Sequence, residues 1–104
     1  MTTFHRAVPE SDLPDGKMLG LEIAGRDVLL CRSRDGIHAL DNLCTHGTAR
    51  LSEGRLRGVR VICPLHGASF DCRSGAVLAP PARDPQTAYE TRLADGWIEV
   101  GLPD

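Results

Sequence analysis

Aromatic residues are scarce, with one Trp, one Tyr and two Phe making up 4% of 104 residues. Any core must therefore be filled by Val, Ile, Leu and Ala. It will also be thin, because a chain of this size buries only about 60% or slightly more of its unfolded surface. Long apolar runs are missing too. The longest aliphatic stretch covers residues 28–31, far short of the roughly 20 residues a membrane helix needs. There is no basic excess, since the formal net charge is −2, which argues against a nucleic-acid partner. The first ten residues hold no apolar segment of signal-peptide length and no twin-arginine pattern, so a cytoplasmic protein is expected. The length suits one domain, 1–104, and one site.

Glycine and proline, by contrast, are plentiful and dispersed: eleven Gly and seven Pro occur throughout the chain. Turns recurring every 10 to 20 residues or so leave room for short strands and little helix. The candidate strands are 3–8, 17–23, 27–33, 37–40, 59–62, 68–71, 88–93 and 97–101. Helix is expected only as short pieces near Asp12 and in 48–53. Asp35-Gly36 and Asp95-Gly96 lie between extended runs and predict hairpins. Within 27–33, Val28 and Leu30 fall on one face and Leu29 and Cys31 on the other, as in a strand buried on both sides. In 97–101 the alternation sets Trp97 and Glu99 against Ile98 and Val100, and Trp97 is expected to anchor the core. The arginines of 50–60 are expected to form a solvated rim.

Four Cys and four His raise two possibilities, a disulfide framework or a metal site. In a reducing cytosol clustered cysteines are more often ligands. Cys44-Thr45-His46 and Cys63-Pro64-Leu65-His66 each supply one sulfur and one imidazole. A zinc finger usually takes two Cys from one arm and two His from the other, yet zinc accepts any tetrahedral S2N2 set, so residue types alone leave it open. The same pairs can present both thiolates to one iron and both imidazoles to another, the ligand set of a Rieske [2Fe-2S] centre. Cys31 sits in an apolar strand and Cys72 follows the second pair; both are expected to be structural thiols. His5 and His38 have no ligand at suitable spacing.

The flanks extend the likeness beyond the ligands. Residues 41–47, Asp-Asn-Leu-Cys-Thr-His-Gly, resemble the first cluster loop of the Rieske family, and Leu51-Ser52-Glu53-Gly54 the turn that follows it. Residues 63–71 resemble the second loop, and Ser74-Gly75 with Pro80-Pro81 the turn and proline loop that cover the cluster. The resemblance spans about residues 3–101. It implies an all-β Rieske fold: an antiparallel β-sandwich or barrel-like base from 3–40 and 88–101, with a small cluster-binding subdomain inserted at about 42–82. It assigns Cys44, His46, Cys63 and His66 as ligands of one [2Fe-2S] cluster.

Departures from the family pattern are as informative. The high-potential branch carries a disulfide across the cluster, where this chain has Ala49 and Leu65. The same branch places hydroxyls of Ser and Tyr against sulfur, where this chain has Ala68 and Phe70. Fewer hydrogen bonds to sulfur imply a potential low in the Rieske range of roughly −150 to +300 mV. A chain this short has no room for a mononuclear-iron or flavin domain. It resembles the stand-alone ferredoxin component of bacterial ring-hydroxylating dioxygenase systems, which implies a monomeric one-electron carrier, not an enzyme. Its implied partners are an NAD(P)H-dependent flavoprotein ferredoxin reductase and a terminal oxygenase of aromatic hydrocarbon catabolism. The rival readings are a Rieske-type small subunit of a nitrite-reductase-like complex and a zinc-bound structural or interaction module. Leu65, Pro80 and Pro81 are expected to shield the cluster, and they are candidates for a docking patch. Without the cluster, 42–82 is expected to be largely disordered.

Overall fold

Antiparallel pairing organises nearly the whole chain in the computed structural model, which describes residues 1–45, 47–65 and 67–103. Six strands form the larger sheet: β1 (Thr2–Pro9), β2 (Met18–Ile23), β3 (Arg26–Ser33), β4 (Gly36–Asp41), β9 (Ala88–Ala94) and β10 (Trp97–Pro103), in the order β1-β10-β9-β4-β3-β2. Four short strands form the second: β5 (Arg55–Arg57), β6 (Arg60–Ile62), β7 (Ser69–Asp71) and β8 (Val77–Ala79), in chain order. This all-β arrangement agrees with the expectation, and the second sheet falls within the 42–82 stretch. Among the described residues helix is confined to single 3-10 turns at Glu10–Asp12 and Leu51–Glu53. β5 and β8 were not expected. At three residues each they are too short to show a period, and pairing with β6 and β7 defines them.

The hairpins follow turn chemistry. Asp95 and Gly96 form a two-residue loop with φ of 55° and 79°, the doubly left-handed turn whose twist matches its strands. Ala24 and Gly25 do the same between β2 and β3, with φ of 50° and 82°. At the other Asp-Gly the loop is Arg34-Asp35, and Gly36 is already the first residue of β4.

β3 is buried on both sides, as its pattern predicts. Val28 and Leu30 join Ile98, Val100 and Leu102 in one core, while Leu29, Cys31 and Leu40 join Val61, Phe70 and Cys72 in the other. The second core therefore binds the four-stranded sheet to the larger one. Phe70 is the bulkiest fully buried side chain, a large contribution where aromatics are so few. Arg73 adds surface ties, bridging Asp71 and Asp35 at 2.8 Å each.

β10 shows one burial that the sequence left open and one expectation that is corrected. Glu99 is buried, because β10 lies between β1 and β9 and receives the guanidinium of Arg92 at 2.7 Å and that of Arg6 at 3.7 Å. Trp97 is only half-buried at the strand's start, with Arg6 5.2 Å from its ring centroid; it is a cation-π partner rather than a core anchor.

Candidate metal centre

Cys44 and Cys63 begin two loops of the same construction. The Cys44 N–H donates to the Ala49 carbonyl at 2.9 Å, and the Cys63 N–H donates to the Ala68 carbonyl at 2.7 Å. Each loop is thus closed from its cysteine to the residue five further on. The second loop joins β6 to β7, whose register pairs Ile62 with Ser69, and Gly67 turns it with a φ of 73°. Gly54 packs beneath it so closely that an added Cβ would lie 1.9 Å from the Ile62 carbonyl oxygen.

Asn42 shapes the first loop from inside. It is 1% exposed; its Nδ2 donates to Asp27 Oδ1 at 2.9 Å and Ser52 Oγ at 3.0 Å, and its Oδ1 accepts from the Ser52 N–H at 2.9 Å. The Leu51 N–H closes the base of the loop on the Asn42 carbonyl. Gly20 admits this pair, since a Cβ there would lie 2.6 Å from Ser52 Oγ. Burial would raise the Asp27 carboxyl, but hydrogen bonds from Asn42 and Arg50 outweigh it and hold the pKa below its ordinary value.

Gln86 braces the other side. Its Oε1 accepts from the Thr45 N–H at 2.7 Å, and its Nε2 donates to the carbonyls of Asp41 at 2.7 Å and Leu43 at 2.8 Å. Thr45 Oγ1 donates to the Asp84 carbonyl at 2.7 Å, so the proline loop holds the first ligand loop directly. Sequence reasoning missed Gln86 entirely and gave Asn42 no role. Gln86→Ala leaves buried carbonyls and an N–H unpaired, which should cost about 2–3 kcal/mol and loosen the Cys44 loop. Thermal melts and amide exchange at 43–45 would register both effects, and an unchanged melt would contradict the bracing role.

The two thiols converge. Cys44 and Cys63 are 4% and 2% exposed, belong to one core cluster, and lie near enough for each thiol to influence the other. Burial pushes the Cys63 thiol up, Cys44 beside it adds to the rise, and the Leu65 N–H, donating to Cys63, opposes it. Two adjoining sulfurs, removed from water and met by a backbone donor, fit soft metal coordination, in which a cation replaces both protons. The loops also touch at Leu65, whose Cδ1 lies 3.9 Å from where a Cβ on Gly47 would sit. His46 and His66 lie outside the described residues. Among the described residues no three metal-binding side chains converge.

The remaining sequence candidates separate. Cys31 and Cys72 are fully buried and free; their side chains hydrogen-bond one another, and that contact, with burial, pushes the Cys31 thiol up. His38 on β4 pairs in register with Cys31, and His5 on β1 with Val100; neither belongs to the two loops. Leu65 is 41% exposed, Pro80 is exposed and Pro81 half-buried. No described helix is long and apolar enough to cross a membrane.

Paired ligand loops on an antiparallel scaffold define a class of iron-sulfur domain, and the Rieske [2Fe-2S] domain profile matches residues 3–90. The chain belongs to that family. Among curated relatives, the ferredoxin component of the naphthalene 1,2-dioxygenase system of Pseudomonas putida is 39% identical over 96 residues, covering 92% of each chain. Among solved structures, the ferredoxin of carbazole 1,9a-dioxygenase from Nocardioides aromaticivorans IC177 superposes with a TM-score of 0.90 at 32% identity, covering 94% of this chain and 96% of that one. A chain in a complex of reduced oxygenase and oxidised ferredoxin of carbazole 1,9a-dioxygenase gives 0.88 at 30% identity, covering 93% of this chain and 91% of that one.

Proposed function

We infer that this chain is a low-potential Rieske ferredoxin that carries single electrons from an NAD(P)H-dependent flavoprotein reductase to a terminal, aromatic-ring-hydroxylating oxygenase. The observation that carries the reading is the pair of equivalent loops, each closed from its cysteine to the residue five further on, with Cys44 and Cys63 brought together. Relatives that span nearly the whole chain and are themselves ferredoxin components of dioxygenase systems support it, as does the oxygenase complex of a similar ferredoxin. Cys44, His46, Cys63 and His66 would hold one [2Fe-2S] cluster, which when bound supplies a one-electron couple passing from zero net charge to −1.

The chain's own residues tune that site. The Leu65 N–H points at the Cys63 sulfur, while Ala68 and Phe70, both fully buried, bring apolar bulk and no hydroxyl. A water-poor surround with few donors disfavours added negative charge, which keeps the potential low. Four free thiols among the described residues accord with a reducing, cytoplasmic setting. Ala68→Ser, which adds a donor beside sulfur, should raise the potential with the cluster intact; protein-film voltammetry reads it, and an intact cluster without a rise would overturn this account of tuning.

Reductive titration with dithionite tests the reading as a whole. A brown protein that takes up one electron per chain is expected. A colourless protein holding one zinc and no sulfide would make the chain a structural module instead.

A further inference from the structure

Three cations gather in one cleft whose lining holds no carboxylate. Lys17, Arg55 and Arg57, with Ser52 and Leu56, line a cleft of about 320 Å³. The cleft lies between the free edges of both sheets, because Lys17 leads into edge strand β2 and the two arginines sit on edge strand β5. All three are exposed, and none has an ion-pair or hydrogen-bond partner for its side chain among the described residues. Arg6, Arg32, Arg50, Arg73 and Arg92 face a carboxylate; Arg26, Arg34, Arg60 and Arg83 form no ion pair among the described residues either, but none of them shares a cleft with a second cation, so the grouping is what sets Lys17, Arg55 and Arg57 apart.

Position ties this charge to the metal centre. A second hollow, of about 300 Å³, shares Gly54 and Arg55 with the cleft and reaches Cys63, Pro64 and Gly67. Its one carboxylate, Glu53, is exposed and faces the charge of Arg50. Charges on an edge strand also discourage strand pairing, but that role does not call for a third cation from the other sheet. The whole chain carries −2, yet charges beyond a Debye length of about 8 Å are largely screened at physiological salt. The lining of the cleft is therefore positive although the protein is acidic, while the hollow that joins it to Cys63 holds one arginine and one glutamate.

We propose that Lys17, Arg55 and Arg57 form the docking surface for a redox partner whose contact face is rich in carboxylates, steering it onto the Cys63 loop. The proposal deepens the electron-carrier reading and rests on it. Steering of this kind raises encounter rates in a salt-dependent way.

The test mixes the dithionite-reduced holoprotein with hexacyanoferrate(III), a trianion, or hexaammineruthenium(III), a trication, and follows cluster oxidation by stopped flow. Between about 20 and 200 mM salt, oxidation of the wild type by hexacyanoferrate should slow several-fold. A triple variant with Lys17→Glu, Arg55→Glu and Arg57→Glu should react about tenfold more slowly at low salt, with the salt slope reversed. Arg57→Glu alone should fall between, and Arg34→Glu, on the β3–β4 turn, should behave as wild type. The ruthenium trication should show the opposite trends. Decaglutamate, standing in for a carboxylate face, should inhibit the wild-type reaction and not the triple variant. A wild-type rate that rises with salt, as the net charge alone demands, or a triple variant with the wild-type slope, would overturn the docking surface. A chain without a reducible cluster would overturn the carrier reading instead. In that case amide shifts at 16–18 and 54–57 on adding decaglutamate still decide whether the cleft binds carboxylates.

Discussion

Cys63→Ser protein should be colourless, with iron and inorganic sulfide both lost, while the six-stranded sheet stays folded. Cys63 is 2% exposed, adjoins Cys44, and receives the Leu65 N–H, so it lies at the junction of both ligand loops. A serine oxygen is a harder and far less acidic ligand than a thiolate and holds a cluster iron more weakly at neutral pH. The residues freed should be local. From sequence, 42–82 is expected to be largely disordered on losing the cluster. The structure narrows this, because Val61, Phe70 and Cys72 share a core with Leu29, Cys31 and Leu40 of the larger sheet. Hydrogen exchange should accordingly show lost protection at 43–49 and 63–68, with β6 and β7 retained. Cys72→Ser, at a buried thiol outside both loops, should keep its full iron complement. Full iron and sulfide in Cys63→Ser would contradict the site.

The second large effect is expected at Gly75. Its φ is 83°, and an added Cβ would lie 2.1 Å from the Gln86 carbonyl oxygen. Its own carbonyl accepts from the Gln86 N–H at 2.8 Å, and its N–H donates to Asp71 at 2.7 Å. Gly75→Ala cannot relieve the clash without moving Gln86, whose side chain braces the first ligand loop. Backbone strain together with weakened buried hydrogen bonds should cost about 3 kcal/mol, a fall in Tm of roughly 12 to 24 °C for a domain of this size. Gly58 provides the comparison. Its φ is also left-handed, at 61°, but nothing lies within 4 Å of a Cβ placed there. Gly58→Ala should therefore cost only about 1 kcal/mol. Equal melting temperatures for the two variants would show that the close approach to Gln86 is not what constrains Gly75.

Much of this architecture was legible because it is written locally. Asp95-Gly96 specifies its own turn, and the alternation in 27–33 reports two buried faces before any partner strand is known. The two Cys-and-His loops stand out through residue type and spacing, and the structure brings Cys44 and Cys63 into one core cluster. What escaped depends on distant partners. Gln86 bonds to residues 41, 43 and 45 positions away, and nothing in its neighbours marks it as a brace. The alternation in 97–101 says nothing of what meets Glu99; its place between β1 and β9, under Arg92 and Arg6, makes burial tolerable. The contact of Cys31 with Cys72 likewise needs the second sheet laid on β3. The grouping of Lys17 with Arg55 and Arg57 needs two sheet edges side by side, so the arginine-rich stretch alone read as a solvated rim.

The central claim is that two sulfurs and two imidazoles, from Cys44, Cys63, His46 and His66, hold one iron-sulfur cluster. The most direct measurement is electron-nuclear double resonance on the dithionite-reduced protein, grown with nitrogen-15 histidine. The account predicts strong hyperfine coupling to two histidine nitrogens, reduced to one in either His46→Ala or His66→Ala wherever a cluster persists. A reduced cluster with no coupled histidine nitrogen would contradict it.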